Sequence, residues 1–319
     1  MFLKDFIPDS LDDFVINRGT ADYIKHNKGL LNTIISGSNG VGKFTLARMM
    51  IKNSLISGNV NINIKPSVCN DNPINISSVH YELFVSQYNY KDKNSFVRTI
   101  DEFSDSVNVS TGYNNIIIIK NADLLSRDNI LTIKKYTERN DKFVTFILTM
   151  KNISKHRSSL NGFFTIRVPS SSKEVISDFI SSKVDTEGYE NQILKLIDDN
   201  KCNLKRIFID LEILLLNNGR IKIKNGISRF VKKIVNAIFN FNYTEVREYI
   251  YELSTKNIEK SDILKMIFNK IISCDLKSDI RFKIISLAGK YSARMANCNK
   301  GIIQLEAFCF ECMALFVIK

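Results

Sequence analysis

The most informative segment of the chain is Gly37-Ser38-Asn39-Gly40-Val41-Gly42-Lys43, which matches the pattern GxxxxGK. It follows the short apolar run Leu30–Ser36 and precedes Phe44–Asn53, whose apolar residues have helical spacing. A glycine-rich loop between a strand and a helix wraps a polyphosphate with backbone N–H groups, while its lysine reaches the outer phosphates. We therefore predict that residues 37–43 bind phosphate groups. The alternative is a chance glycine-rich turn.

The residue after this loop departs from the pattern. A serine or threonine hydroxyl is expected there as a ligand of Mg²⁺, but the chain has Phe44, and Thr45 follows one position later. One step along a helix turns the side chain by about 100°, so Thr45 cannot simply replace the missing hydroxyl. We expect Phe44 and Thr45 to line the site, and Mg²⁺ to bind weakly or not at all.

A second acidic element should end a later apolar strand, with one carboxylate for the metal and one for the attacking water. The candidate strand Ile116–Ile119 is followed by Lys120 and Asn121, and Asp123 lies further on, where a helix cap or loop role is expected. We predict that the chain binds ATP or ADP, has no catalytic residue of its own and hydrolyses little or no ATP. One hypothesis is that Lys120 supplies part of the metal's charge.

The order of elements predicts an α/β domain followed by helices. Strand-like runs separated by a helical segment favour a parallel sheet with both faces covered. After Pro169 only helical periodicity is evident, beginning with Ser171 as a helix cap and Glu174 three residues later. We predict a nucleotide-binding domain at 1–168, a helical lid at 169–220 and an all-α domain at 221–319. Within the first domain we predict strands at 30–36, 78–84, 116–119 and 143–150 and a helix at 127–139.

Composition agrees with an ordinary globular protein that has an acidic partner. The 319 residues are 44% hydrophobic and 24% charged, with a formal net charge of +12. The positive balance favours a nucleic-acid backbone as partner, and a solvated lysine-rich surface is the alternative. No signal peptide or membrane-length apolar run is evident, so we expect an intracellular protein. The CxxC at Cys309–Cys312 lacks a second ligand pair, which favours buried thiols over a metal or redox site.

Several segments together carry a resemblance to a known family. They are Phe2–Pro8 with Ser10–Asp13, Ser126–Asp128 with Lys134–Glu138, Asn203–Arg206, and Ala293–Met295 with Gly301–Phe308. They resemble conserved motifs of the small subunits of replication factor C, the eukaryotic DNA sliding-clamp loader. The closest resemblance is to the subunit whose phosphate loop reads GKKT, because Gly42-Lys43-Phe44-Thr45 loses the hydroxyl at the same position.

This resemblance implies an AAA+ module, a helical lid and an oligomerising collar formed by the carboxy-terminal domain. It implies other clamp-loader subunits, a PCNA-like sliding clamp and primer–template DNA as partners, with no membrane, in a nucleus or at a viral replication site. It places Lys205 at a phosphate-sensing position of the lid. Lys134 and Lys135 fall on a helix that couples DNA sensing to the nucleotide site, and they are our candidates for DNA contact.

Two departures from the family weaken the hydrolytic machinery further. Lys151 stands where the family has a sensor Asn, and Gly162-Phe163-Phe164 replaces the segment that donates an arginine to a neighbouring subunit. Arg157 is a nearby substitute, although a surface role is favoured. Two other interpretations stay open: an active stand-alone ATPase such as a helicase loader, and a helical DNA-binding or interaction module with a vestigial loop.

Overall fold

The computed structural model describes residues 6–26, 29–54, 63–69, 72–87, 93–104, 115–138, 144–184, 188–217, 226–256, 258, 260–298 and 300–317. These residues form two compact units, Met1–Ile221 and Lys222–Lys319, which we describe separately. The predicted three-part division at 168 and 220 stays a prediction.

The first unit contains a seven-stranded sheet. Its strands are β1 (Thr33–Ser36), β2 (Lys65–Cys69), β3 (Asn72–Ile76), β4 (His80–Phe84), β5 (Asn115–Lys120), β6 (Val144–Met150) and β7 (Phe164–Arg167). Their order in the sheet is β2-β3-β4-β5-β6-β1-β7. Five neighbouring strands pair in parallel, in the order β4-β5-β6-β1-β7, whereas β3 runs antiparallel to both β2 and β4. The predicted α/β fold is confirmed.

The sheet is mixed, because β2 and β3, which the sequence did not predict, extend the predicted parallel strands on one side. Only residues 70–71 separate β2 from β3, and residues 77–79 separate β3 from β4. Connections this short join antiparallel strands, because a parallel crossover needs a dozen or more residues. Both strands contain a proline, which lacks a backbone donor. Pro66 lies on the edge strand β2, and Pro73 lies in β3 outside the residues that pair with β4.

The first unit contains seven described α-helices. They are α1 (Arg18–His26), α2 (Lys43–Ser54), α3 (Lys93–Ser104), α4 (Arg127–Glu138), α5 (Lys173–Lys183), α6 (Glu190–Asp199) and α7 (Leu204–Leu216), of which α5 to α7 fall in the segment predicted as a lid. In β1, Ile34 and Ile35 are both fully buried but belong to different apolar clusters. Successive side chains of a strand face opposite sides of a sheet. Both sides are therefore covered, as predicted.

Element predictions agree with the structure where the apolar signal is strong. β1, β5, α2 and α4 lie where predicted, within a few residues, and Arg139, Phe143 and Phe2–Asp5 fall outside the described residues. The predicted cap of α5 was wrong by one residue: the Ser172 hydroxyl accepts the Val175 N–H at 3.4 Å, whereas the Ser171 hydroxyl donates to Asn17 Oδ1. Adjacent serines offer the same side chain, and only the backbone geometry decides which one caps.

The second unit is helical in all its described elements. They are α8 (Gly226–Phe239), α9 (Tyr243–Ser254), α10 (Lys260–Ile272), α11 (Ser278–Asn297) and α12 (Gly301–Val317). Cys309 and Cys312 are fully buried free thiols on α12, inside its apolar core. Burial raises the pKa of both thiols, that of Cys312 to about 12. Within the described residues of the chain, no helix combines the length and apolarity needed to cross a membrane.

Candidate functional site: a phosphate loop with a lysine at the metal position

The predicted phosphate loop lies at the carboxyl end of β1, a parallel strand between β6 and β7. β1 ends at Ser36 and α2 begins at Lys43, so residues 37–42 form the turn between them. The carboxyl edge of a parallel sheet is where ligands bind in open α/β folds. Gly37 donates its N–H to Met150 O at 3.2 Å, which ties the loop to β6, and Val41 anchors it in the core with only 2% exposure.

Two glycines of the loop are required by close contacts. A Cβ on Gly37 would meet Val168 O at 2.4 Å, and one on Gly40 would meet Asn203 Oδ1 at 1.8 Å. Gly40 also has φ +80°, in the left-handed region that only glycine adopts at little cost. Ser38 and Asn39 are exposed at the tip of the turn. The loop backbone is therefore held in one conformation by its neighbours.

The Lys43 side chain folds back over the loop. Its Nζ donates hydrogen bonds of 2.7 Å to Gly37 O and Ser38 O, and no described carboxylate lies within ion-pair distance. Burial lowers the pKa of Lys43, the carboxylate of Asp123 raises it, and Lys151 lowers it again. A half-buried ammonium bonded only to neutral carbonyl oxygens gains from a nearby anion. The position of Lys43 therefore suits its predicted role as a phosphate ligand.

Phe44 occupies the position of the missing hydroxyl and contacts two cations. Lys120 Nζ lies 4.8 Å from the centroid of the Phe44 ring and 5.2 Å from that of Phe84. Arg48 Cζ lies 4.5 Å from the Phe44 ring, one helical turn along α2. Cations over aromatic faces are attracted by the ring quadrupole. The predicted metal position therefore holds an aromatic pair and a lysine ammonium.

Buried Glu82 forms an ion pair with the partly exposed Arg48. Arg48 Nε and Nη2 donate to the two Glu82 oxygens at 2.6 and 2.9 Å, and Asn75 donates to Oε2 at 2.8 Å. His80 Nε2 lies 3.2 Å from Oε1. Burial alone would raise the pKa of Glu82, but the hydrogen bonds from His80, Arg48 and Asn75 and the charge of Arg48 lower it to about 2. Glu82 is therefore a fixed anion and a very weak base.

Lys120 has no such partner. It ends β5 beside Phe84, its Cα partner in the parallel pair with β4, and no described carboxylate forms an ion pair with it. Burial lowers the pKa of Lys120, the positive charges of Lys205 and Arg48 lower it further, and Glu82 raises it. The pKa shift also shows that the lid residue Lys205, itself exposed, acts on this site through its charge.

The residues after β5 present a carboxylate that sequence reasoning left out of the site. Asn121 has φ 58° and donates its N–H to Thr149 Oγ1 at 3.3 Å. Asp123 lies in the short 3₁₀ turn that follows, and its Oδ1 accepts the Lys151 N–H at 3.2 Å. The loop role expected for Asp123 is correct, but its charge also acts on Lys43. The sequence could have indicated this role, because Asp123 follows the carboxyl end of β5, at the same edge of the sheet as the phosphate loop.

The amino end of α7, in the segment predicted as a lid, contacts the phosphate loop. Asn203 caps α7 by accepting the Arg206 N–H at 3.3 Å, and Leu204 donates its N–H to Gly40 O at 3.2 Å. The amino end of α7 therefore points at the loop and adds positive potential there. Lys205 stands at this helix end, where the resemblance places a phosphate sensor.

The other predicted residues are placed as follows. Thr45 is half-buried on α2, and no described hydrogen bond joins its hydroxyl to the loop. Lys134 pairs with Glu138 at 3.4 Å, and Lys135 is exposed beside it on α4. Arg157 is exposed. The structure brings together Lys43, Phe44, Lys120 and Lys205, and nothing in it tests DNA contact by Lys134 and Lys135.

Comparison with known proteins identifies relatives of the chain. Residues 224–318 match the family described as replication factor C subunit 3, C-terminal domain. A putative replication factor C small subunit from Acanthamoeba polyphaga mimivirus is 24% identical over 345 aligned positions, which cover 100% of this chain and 92% of the relative.

Two solved structures align at low identity. The Bacillus subtilis DNA clamp loader delta protein is 13% identical and covers 93% of this chain and 99% of its own, with a TM-score of 0.33. A DNA polymerase III gamma subunit-related protein from Thermotoga maritima is 12% identical and covers 96% and 99%, with a TM-score of 0.48. Superpositions this loose equate no individual residues. The sequence matches confirm the resemblance of the chain to replication factor C small subunits.

Proposed function

We propose that this chain is a nucleotide-holding, non-hydrolysing subunit of a replication factor C-like clamp loader. With sister subunits it helps to load a PCNA-like sliding clamp onto primer–template DNA, in a nucleus or at a viral replication site. The observation that carries the nucleotide part is the pair of ammonium groups at the loop. Lys43 and Lys120 are both half-buried, and no described carboxylate lies within ion-pair distance of either.

The arrangement of carboxylates supports the absence of hydrolysis. ATP hydrolysis needs a residue that orients or deprotonates water beside the outer phosphate. The two carboxylates near the loop are otherwise engaged: Glu82 is held by Arg48 with a pKa of about 2, and Asp123 accepts a backbone N–H and faces Lys43. Asn121, at the strand end, has no basic oxygen or nitrogen for proton transfer.

The carboxy-terminal unit supports the proposed assembly. Its match to a replication factor C domain agrees with a collar that joins subunits. On α11, only Ile284, Ala288 and Tyr291 are buried, whereas Phe282 is 72% exposed and Ile285 is 46% exposed. Large apolar side chains with such exposure on a helix favour contact with another chain.

Purification with retained nucleotide tests the nucleotide part. We expect the isolated chain to carry or bind ADP or ATP stoichiometrically and to release no phosphate above the rate of a Lys43→Ala variant. Brisk turnover that is lost in Lys43→Ala would instead support a stand-alone ATPase. A site that stays empty at millimolar nucleotide would support a helical module with a vestigial loop.

Co-purification with sister subunits tests the assembly part. Phe282→Ser removes an exposed apolar side chain and should leave the thermal unfolding of the chain unchanged while it weakens capture of partner subunits. Exposed Leu194 on α6 provides a matched control, because Leu194→Ser removes a comparable apolar side chain from the lid. Equal capture by Phe282→Ser and wild type would contradict a contact through this face.

A further inference from the structure

The residues at the metal position do not fit Mg²⁺. This ion requires near-octahedral oxygen ligands and retains several waters. Phe44 presents an aromatic ring there, and Lys120 presents a positive charge that would repel the ion. Among the described residues, no group of three or more His, Cys, Asp or Glu side chains is placed to hold a metal. The chain therefore keeps the phosphate-loop pattern but has residues that do not fit Mg²⁺ where a metal ligand is expected.

We infer that Lys120, whose ammonium lies against the rings of both Phe44 and Phe84, is a built-in counter-cation that replaces Mg²⁺ at the outer phosphates of a bound nucleotide. The inference rests on the proposed nucleotide binding and adds how the site manages phosphate charge. Phe44 and Phe84 are positioning residues, since they act through the lysine. The predicted consequence is nucleotide binding that does not depend on divalent metal.

The backbone fixes where the lysine stands. Lys120 and Phe84 are Cα partners at the ends of two adjacent parallel strands, so the register of the sheet sets them side by side. Phe44 is the first residue after Lys43 on α2, and its ring lies 6.0 Å from that of Phe84. The sheet and the loop helix thus meet at this ammonium.

The pattern of charge compensation identifies Lys120 as the cation available to a ligand. Of the two cations at the Phe44 ring, Arg48 is neutralised by a two-point ion pair with Glu82. An aromatic ring attracts a cation but does not cancel its charge. Lys120 therefore keeps a net positive charge in a half-buried place beside the phosphate loop, with Lys205 adding another from the lid. A polyphosphate satisfies this arrangement, whereas a divalent cation opposes it.

Equilibrium binding of ADP and a non-hydrolysable ATP analogue, with Mg²⁺ and with chelator, tests the inference. We expect the wild-type dissociation constant to be the same within about twofold in both conditions. Lys120→Gln should weaken binding by about 10- to 100-fold in chelator, the range for loss of a charge-assisted contact to phosphate. Phe44→Leu keeps an apolar side chain but removes the ring face, and should weaken binding by about threefold to tenfold.

A matched control and a converse variant sharpen the test. Lys195, exposed on α6, loses the same charge in Lys195→Gln and should bind as wild type does. The double variant Phe44→Thr with Lys120→Asp restores a hydroxyl and a carboxylate, and its binding should become dependent on Mg²⁺. Thermal unfolding of every variant checks that the fold is intact.

The outcomes separate this inference from the proposed function. Two results would contradict the role of Lys120 as counter-cation: wild-type binding that requires Mg²⁺, or Lys120→Gln that binds nucleotide as well as wild type does in chelator. Either result would still agree with the proposed nucleotide-holding subunit. Absence of nucleotide binding in both conditions would overturn the proposed function and the inference together. Metal-independent binding that weakens with Lys120→Gln and Phe44→Leu supports both.

Discussion

The two ends of the proposed nucleotide site match the expected sequence pattern to different extents. At the phosphate end, residues 37–43 keep every element of the loop pattern and a conformation that demands glycine at Gly37 and Gly40. At the metal end, Phe44, Lys120 and Asn121 all replace the side chains expected there. Phosphate binding depends mainly on backbone N–H groups and one lysine, whereas metal and water binding depend on individual side-chain oxygens. The first property can therefore persist after the second is lost.

The variant with the largest expected effect is Lys43→Ala, at the phosphate end. It removes an ammonium that has no carboxylate partner among the described residues, and we expect nucleotide binding to weaken by at least about 100-fold. Isothermal titration with ADP measures the change. Lys195→Ala serves as the charge control. Unchanged nucleotide binding by Lys43→Ala would contradict this prediction, because the phosphate end of the site would then not supply the binding affinity.

Loss of the Glu82 anion at the metal end should cost folding stability. The pKa of Glu82 is lowered from 4.5 to about 2 in the folded chain, so its contribution is complete above pH 4.5 and is lost as the pH falls towards 2. The shift corresponds to roughly 3 kcal/mol in the free energy of unfolding.

Urea unfolding of wild type and Glu82→Gln at pH 6 and at pH 3 measures this contribution. We expect the difference between the two proteins to be on the order of 3 kcal/mol at pH 6 and to shrink at pH 3. A difference that does not change with pH would show that the ion pair with Arg48 is not its source.

The contact between the loop and the lid should have an intermediate effect on stability. Gly40→Ala places a Cβ at positive φ and against Asn203, and we expect a loss of about 2 to 3 kcal/mol in the free energy of unfolding. Gly162 has φ +96° with nothing within 4 Å of an added Cβ, so Gly162→Ala isolates the backbone cost, about 1 kcal/mol. Equal losses of stability in Gly40→Ala and Gly162→Ala would show that the contact with Asn203 adds nothing to the backbone cost.

The smallest expected effect is that of Lys205→Ala in the lid. Its side chain is exposed, so its attraction to phosphate is screened by water and salt. We expect nucleotide binding to weaken by about threefold at low salt and the difference to vanish near 1 M salt. Titration at two salt concentrations measures it. An effect as large as that of Lys43→Ala would place the lid lysine in direct contact with phosphate.

The success of the sequence predictions follows the range of the interactions involved. The phosphate loop, β5 and the helical second half were predicted because each is encoded by neighbouring residues: glycine spacing, four consecutive isoleucines, and apolar residues at helical intervals. The antiparallel strands β2 and β3 were missed because their short, proline-containing segments have little apolar signal. The α5 cap was misplaced by one serine for a similarly local reason, since both serines satisfy the sequence pattern.

The sequence alone determined that a phosphate loop is present and that its metal ligand and strand-end acids are absent, because these are properties of adjacent residues. Only the tertiary structure decided what replaces them. Phe84, Glu82 and Arg48 come from β4 and α2, and nothing in their local sequence relates them to Lys120. The register of β4 against β5 and the packing of α2 bring them together. In that arrangement Glu82 compensates the charge of Arg48, whereas Lys120 has no described carboxylate partner.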